Sequence, residues 1–370
     1  MGRSYTFYEF YAGGGMARLG LGDGWDCRFA NDFDLAKAAA YRDNFGDGHL
    51  KSGDVHALSP ADLPGRVDLA WASSPCQDFS LAGGRAGLAG GRSSAFFGFW
   101  RLMQALGAEG RAPRMIVVEN VTGLLSANGG ADFTALCAAL AAEDYRFGAI
   151  EVDAAAFLPQ SRPRVLIVAT RDAAVAGSGA APGRSVAAAR DRLPPDLKGR
   201  WIDWPGPPAA TGRNADLSTL LEPDDRVVWH APAVTAALLA QMDPLHRRRL
   251  DAALASGERR VGAMFRRTRK GRPRTELRLD GLAGCLRTPR GGSSRQIVAV
   301  VDGGQVRTRL ISGREGARLM GLPDSYRLPP GVTAALHLVG DGVAVPVVDW
   351  LARTVLEPAL AGPAGALAAE

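Results

Sequence analysis

Four clusters in this 370-residue chain combine residue types and spacings that chemistry requires. The sharpest is Pro75-Cys76-Gln77. A cysteine on a turn behind a proline is rigidly presented, and a nucleophilic thiol needs such exposure. A lone cysteine is more often an inert core residue. The polar neighbours Ser74, Gln77, Asp78 and Ser80 disfavour that fate here. The second cluster, Glu119-Asn120-Val121, follows the apolar run Met115 to Val118. A partly desolvated carboxylate there can donate or share a proton, with a plain helix cap as the bland alternative. The third is Gln160-Ser161-Arg162-Pro163-Arg164. Arginines two apart on a strand edge face one way and can grip a carbonyl or phosphates, unless they are only a solvated edge. The fourth is Glu9-Phe10-Tyr11-Ala12-Gly13-Gly14-Gly15, with Asp32-Phe33 following. Glycines let a ligand approach the backbone, an acid about twenty residues on can hold ribose hydroxyls, and Phe33 can stack on adenine. The pair points to an adenosine-type ligand, with a plain cap beside a core aromatic as the alternative.

Each cluster needs an element to carry it. Strands are predicted at Tyr5 to Tyr11, Asp26 to Ala30, Val67 to Ala72, Met115 to Val118 and Val165 to Ala169. Helices are predicted at Met16 to Leu21, Leu35 to Asn44, Phe96 to Leu106 and Phe133 to Glu143. The alternation implies an α/β fold, a mostly parallel sheet with helices on both faces. Ligands in such sheets bind at the carboxyl ends of the strands, where the clusters fall. The glycine-dense stretch Leu81 to Arg92 suits a mobile lid or a plain loop. From Ala173 to Pro208 the pattern dissolves, which puts a domain boundary near residue 175. Regular helices return at Arg314 to Met320 and Val347 to Leu356.

Composition narrows the class. With 46% hydrophobic and 22% charged residues, the chain can build a core and is not a disordered polymer. Four cysteines without a Cys-x-x-Cys pair, and five histidines, argue against a zinc site; no metal is expected. No signal peptide or membrane-length apolar run is apparent, so a cytoplasmic, nucleoid-associated protein is expected. Net charge is +6, but the window Arg247 to Arg274 holds eleven Arg or Lys against two acids. Arginine outnumbers lysine 40 to 4, which codon bias explains; codon bias does not explain the clustering. A local basic excess is the footprint of a polyanion partner.

In this order and spacing, the clusters resemble the DNA cytosine-5 methyltransferase family. Gly313 to Tyr326 and Gly340 to Pro346 resemble its last two conserved regions. The resemblance covers residues 5 to about 170 and 285 to about 356. It implies a Rossmann-like S-adenosylmethionine-dependent methyltransferase fold with a smaller inserted target-recognition domain. The catalytic domain would span 1–175, the basic recognition domain 176–305, and 306–370 would return to the catalytic domain. It also implies roles: Cys76 attacks carbon 6 of a flipped cytosine, Glu119 holds N3 and the exocyclic amine, and Arg164 with Arg162 contacts the base carbonyl. Tyr11, Ala12, Gly13, Gly15, Asp32, Phe33, Asp54, Val55, Pro75, Asp341 and Val343 would bind S-adenosylmethionine. Gln77, Ser80, Arg85, Arg266, Arg267, Arg269, Lys270, Arg295 and Gln296 would touch DNA. Expected partners are duplex DNA and a cognate restriction endonuclease or defence system, with the protein a monomer. The chain departs from the family at Glu9-Phe10-Tyr11 (usually Asp-Leu-Phe), at Ser73-Ser74 (usually Gly or Pro before Pro-Cys) and at Asp341 (usually Asn). A transfer-RNA methyltransferase of the same fold, a catalytically dead DNA-binding regulator and a nucleotide-dependent oxidoreductase are the competing readings. The first has a reduced recognition region, the second usually lacks the nucleophile, and the third leaves three clusters unexplained.

Overall fold

Apolar runs that bury both faces build the larger of two sheets. In the computed structural model, residues 4–74, 95–175, 177–179, 181–209, 215–269, 271–287 and 295–362 are described. The chain divides into two compact units. The first comprises 1–153, 163–209 and 345–370; the second comprises 154–162 and 210–344.

The first unit holds strands β1 (Tyr5–Phe10), β2 (Trp25–Asp32), β3 (Leu50–Ser52), β4 (Leu69–Ala72), β5 (Met115–Asn120), β6 (Arg146–Asp153) and β7 (Pro163–Thr170). Their order is β3-β2-β1-β4-β5-β7-β6. Strands β1 to β5 pair in parallel, while β7 runs antiparallel to both β5 and β6. The expected mostly parallel sheet is present, with an antiparallel edge that the predicted strand at Val165 to Ala169 did not foresee. All six residues of β5 are buried, as expected of a strand covered on both faces. Helices α1 (Met16–Leu21), α2 (Leu35–Phe45), α3 (Ala95–Ala108) and α4 (Ala131–Ala142) follow strands in the predicted order. On one face Phe10 packs against Phe29 and edge-on against Phe99 of α3, at 5.0 Å between ring centres for the latter.

Glu9, the penultimate residue of β1, is buried, and its Oε1 accepts from the Arg18 N–H in the first turn of α1 (3.4 Å). Burial, together with the charge of Asp32, pushes the Glu9 carboxyl up to about 8, against the pull of the α1 amides and Arg18.

The compact units break at points other than residues 175 and 305. Helices α5 (Arg184–Asp191) and α6 (Pro195–Lys198), with Trp201 and Trp204, belong to the first unit. Ile202 N–H donates to Phe147 O on β6 (2.7 Å) and Trp204 Nε1 donates to Val168 O on β7 (3.1 Å), extending the sheet's edge past the composition shift.

The second unit is a four-stranded antiparallel sheet in the order β11-β10-β8-β9. Its strands are β8 (Arg260–Arg269), β9 (Arg272–Arg278), β10 (Ile297–Asp302) and β11 (Gln305–Leu310). Residues from α7 (Pro232–Ala240) and α8 (Pro244–Ala255) pack with Met264, Leu277, Ile297 and Val301 in its core. Helices α9 (Gly313–Arg318) and α10 (Val332–Asp341) complete it. The return to the first unit comes at Val345, the start of α11 (Val345–Leu351), rather than near 306. There Gly20 of α1 earns its lack of a side chain, because a Cβ would stand 2.5 Å from Val348. A π-helical turn (Ala352–Leu356) leads into α12 (Glu357–Ala361). The apolar stretch Val332–Ala361 that these helices form has a membrane-length window, but that window is half buried in the protein and the helix breaks after Asp341.

The second unit contains a fully buried ion pair. Arg309 Nη2 and Nη1 donate to Glu315 Oε1 and Oε2 (2.6 and 2.7 Å), and both side chains are 1% exposed. Glu315 also accepts from the N–H groups of Ser312 and Glu222 (3.0 and 2.8 Å). Burial alone would raise the Glu315 carboxyl; hydrogen bonds from Arg309 and these amides hold it below the usual range.

Two stability predictions follow from these carboxyls. Replacing Glu315 with alanine strands a buried guanidinium and should cost the second unit about 3–5 kcal/mol. Because the native carboxyl is depressed, its contribution is present above the ordinary glutamate pKa and is lost as pH falls through the native value. Hydrogen exchange in peptides of residues 295–320 reads both effects. Glu9 acts in the opposite sense. Its raised native pKa makes its contribution full below about 4.5 and lost as pH rises through about 8. Glu9→Gln should therefore flatten the pH dependence of exchange in β1 and α1 over that window.

Candidate active site

The carboxyl ends of β1, β2 and β3 are joined by hydrogen bonds from the chain's own turns. After β1 the backbone turns sharply: Tyr11, Gly13 and Gly15 have φ of 58°, 55° and 76°. A side chain on Gly15 would also collide with Tyr41 and Phe45 of α2. The Gly13 N–H donates to Asp32 Oδ2 (2.7 Å), the Asp34 N–H to Asp32 Oδ1 (2.8 Å), and the Ala12 N–H to Asn31 O (2.9 Å). Burial raises the Asp32 carboxyl, and these amide donors oppose it. Asn31 Nδ2 donates to Lys51 O and Gly53 O (2.7 and 3.0 Å), drawing in the turn that carries Asp54 and Val55. Asp54 caps that turn by accepting from the His56 N–H (2.9 Å), and Val55 is buried. Phe33 stands 74% exposed beside the nearly buried Asp32. The edge thus presents left-handed backbone, a carboxylate with unused lone pairs and a bare aromatic face. Those are the features an adenosine-bearing ligand requires.

A second group lies at the ends of β4, β5 and β7. Asn120 Nδ2 donates to Ser74 O (3.1 Å) and its Oδ1 accepts from the Val121 N–H (2.9 Å). This amide ties the end of β5 to the end of β4, immediately before Pro75-Cys76 in sequence. Pro75, Cys76, Gln77, Ser80 and Arg85 lie outside the described residues. Arg164 Nε is 3.0 Å from Glu119 Oε1, with both side chains largely shielded from solvent. The pairing follows from register: Asn120 lies opposite Val165, so Arg164 falls just past the end of β5. Among the described residues, Glu119 and Arg164 are therefore brought together, with Asn120 reaching the end of β4.

Arg162 departs from its expected role. It is 2% exposed, and its Nη2 donates to Gly340 O and Gly342 O (2.9 and 2.6 Å). Its Nη1 donates to Leu286 O (3.0 Å) and contacts Cys285 Sγ (3.3 Å). With these groups spent on carbonyls of the second unit, Arg162 ties backbone segments rather than gripping a substrate. Gln296 is likewise corrected. It is buried, and its amide both donates to Gly284 O (2.6 Å) and accepts from the Gly284 N–H (3.0 Å), so it braces that segment. Arg295 is near Thr333, to which it donates. Asp341 is exposed at the end of α10 and Val343 is buried. Arg266 and Arg267 are exposed on β8; the side chain of Arg269, and Lys270, lie outside the described residues. Asn31, Asn120 and the buried role of Gln160 escaped sequence reasoning. Gln160 accepts from the Leu286 N–H (3.0 Å) and donates to Leu319 O (2.6 Å). An amide beside a motif carries no signal that separates backbone bracing from ligand contact.

Comparison with known proteins places this geometry in a family. The family model for C-5 cytosine-specific DNA methylase matches residues 5–357. The type II methyltransferase M.BsuFI of Bacillus subtilis is 26% identical over 359 residues, covering 96% of this chain and 73% of that protein. The type II methyltransferase M.HhaI of Haemophilus parahaemolyticus is 24% identical over 351 residues, covering 94% and 93%. Among solved structures, the S. pombe Dnmt2 methyltransferase superposes with a TM-score of 0.61 at 18% identity, covering 96% of this chain and 99% of that one. A putative DNA modification methyltransferase from an E. coli prophage gives 0.56 at 18% identity, covering 96% and 99%. These structures share the fold. With the family model spanning nearly the whole chain, this protein belongs to the C-5 cytosine-specific DNA methylases.

Proposed function

We propose that this DNA cytosine-5 methyltransferase modifies cytosine within a specific duplex sequence, with Cys76 as nucleophile and Glu119 and Arg164 acting on the base. The observation that carries the reading is the 3.0 Å Glu119–Arg164 pair, tied through Asn120 to the strand end from which the Cys76 turn departs. Family membership implies S-adenosylmethionine as the methyl donor. When bound, it supplies an electrophilic methyl group. Gly13, Asp32 and Phe33 suit its adenosine, with the Asp54-Val55 turn beside them.

The roles follow from charge. The Cys76 thiolate adds to carbon 6 of a cytosine extruded from the duplex, which makes carbon 5 electron-rich. Glu119 hydrogen-bonds N3 and holds a proton there, stabilising charge that builds in the ring. Arg164 fixes the Glu119 carboxyl through Nε, donates Nη1 to Pro163 O (2.8 Å) and keeps Nη2 for the base carbonyl. Once carbon 5 is methylated, loss of its proton and expulsion of the Cys76 thiolate restore the aromatic ring. The type II names of the relatives support a place beside a cognate restriction endonuclease and duplex DNA as substrate, and the basic strands β8 and β9 support a polyanionic partner.

Cys76→Ser should abolish methyl transfer to duplex DNA while leaving DNA binding intact; full activity in that variant would overturn the covalent route. Binding should also fall steeply with salt. For about six neutralised phosphates, affinity should drop roughly 10³-fold between 50 and 200 mM. A flat titration would show that the basic strands do not face phosphates. Transfer RNA assayed in parallel distinguishes the RNA alternative.

A further inference from the structure

Strands β8 and β9 stay paired well past the sheet that carries them. Among the described residues, strand β10 pairs with β8 as far as Met264, opposite Ile297. The β8–β9 pairing continues to Arg269 opposite Arg272, with Gly271 before β9 at φ 73°. Arg266, Arg267 and Thr268 are exposed on this ribbon. Residues 266–274 carry five arginines and one lysine, with no acid.

The pleat sorts these charges. Residues opposite one another share a face. Arg266 and Thr268 therefore share the face of Met264 and Leu277, the core side. Phe265, Arg267, Arg274 and Glu276 occupy the other face. Arg267, on the face away from the core, is held in place. Its Nε is 2.9 Å from Glu276 Oε2, and its guanidinium carbon is 5.9 Å from the centre of the Phe265 ring. That ring is itself fixed, because it lies where a Cβ on Gly284 would be. The two Nη groups of Arg267 have no partner among the described residues. Arg272, nearer the tip, has no partner at all among them.

We propose that the β8–β9 ribbon enters the major groove and that Arg267 reads a guanine there, with Glu276 as its positioning residue. This rests on the reading that the substrate is duplex DNA. Two strands about 4.8 Å apart, with their side chains, fit a major groove about 12 Å wide and not a minor groove about 6 Å wide. Guanine alone presents two acceptors, O6 and N7, spaced for an arginine fork. An arginine whose Nε pairs with a carboxylate is biased against swinging to follow a phosphate, and its outer Nη edge is aimed before DNA arrives. Arg272, without such a brace, is a phosphate contact.

The test uses the full-length protein on a library of duplexes randomised around the target cytosine, with methylated sites read by bisulfite sequencing. Arg267→Lys, which keeps the charge but not the fork, should lose tenfold or more of its guanine preference at one position while the salt slope of binding stays unchanged. Glu276→Ala should relax the same position, and Glu276→Gln, which retains an acceptor for Nε, should restore it. Arg272→Ala should weaken binding equally on all sequences and lower the salt slope by about one. Thermal unfolding of each variant checks that the ribbon's sheet is intact. If Arg267→Lys keeps the parent pattern, or loses activity evenly on every sequence, the assignment is wrong although the DNA reading stands. If the parent protein methylates no duplex, the DNA reading falls and the assignment falls with it.

Discussion

A carboxylate buried at the end of a strand must be met by donors, and this requirement organises the catalytic edge of the protein. Asp32 ends β2, Glu9 and Glu119 stand one residue before the ends of β1 and β5, and all three are nearly or fully buried. Each is answered differently. Glu9 takes an amide from the first turn of α1, Asp32 takes the amides of Gly13 and Asp34, and Glu119 takes the guanidinium of Arg164. Backbone amides are fixed by the fold, so the first two acids pin turns. A guanidinium on a neighbouring strand is a side chain with further donors, so the third acid is left with a partner that can also serve a substrate. The same desolvation penalty produces a backbone brace in two places and a side-chain ion pair in the third.

Asparagine and glutamine amides complete the bracing. Asn31 pulls in the turn after β3, Asn120 joins β4 to β5, and Gln160 and Gln296 clamp backbone in the second unit. A primary amide offers a donor and an acceptor in one plane and therefore substitutes for a missing peptide partner. Where a loop leaves a sheet, ladder hydrogen bonds end and such substitutes are needed. That is why these residues cluster beside the motifs without joining the chemistry. The second unit solves a larger version of the same problem with the buried Arg309–Glu315 pair, in which one carboxylate gathers a guanidinium and two amides from separate segments.

Much of the architecture was legible because its signals are local. The strand at Met115 is a run of apolar residues that no exposed element would tolerate, and the Gly13 and Gly15 turn advertises its left-handed backbone. The placement of Asp32 and Phe33 was legible for the same reason, since an acid and an aromatic after a short strand occupy a predictable end of a sheet. The extent of the units was not legible. Residues 173–208 look like linker in composition, yet Trp201 and Trp204 seal the edge of the large sheet through contacts with β6 and β7 far back in the chain.

The amino-acid sequence by itself determined the alternation of strands and helices, the placement of reactive side chains at strand ends and the basic excess between Arg247 and Arg274, because periodicity, glycine and charge act over a few residues. Only the tertiary structure decided which partner each polar side chain meets. Arg162 and Arg164 are two residues apart and chemically identical, yet one spends its donors on the carbonyls of Leu286, Gly340 and Gly342 while the other faces Glu119. The pleat also separated Arg266 from Arg267, adjacent in sequence and on opposite faces of one ribbon. Partners brought from more than a hundred residues away leave no trace in local pattern, so the role of a charged side chain is settled by what the folded chain places against it.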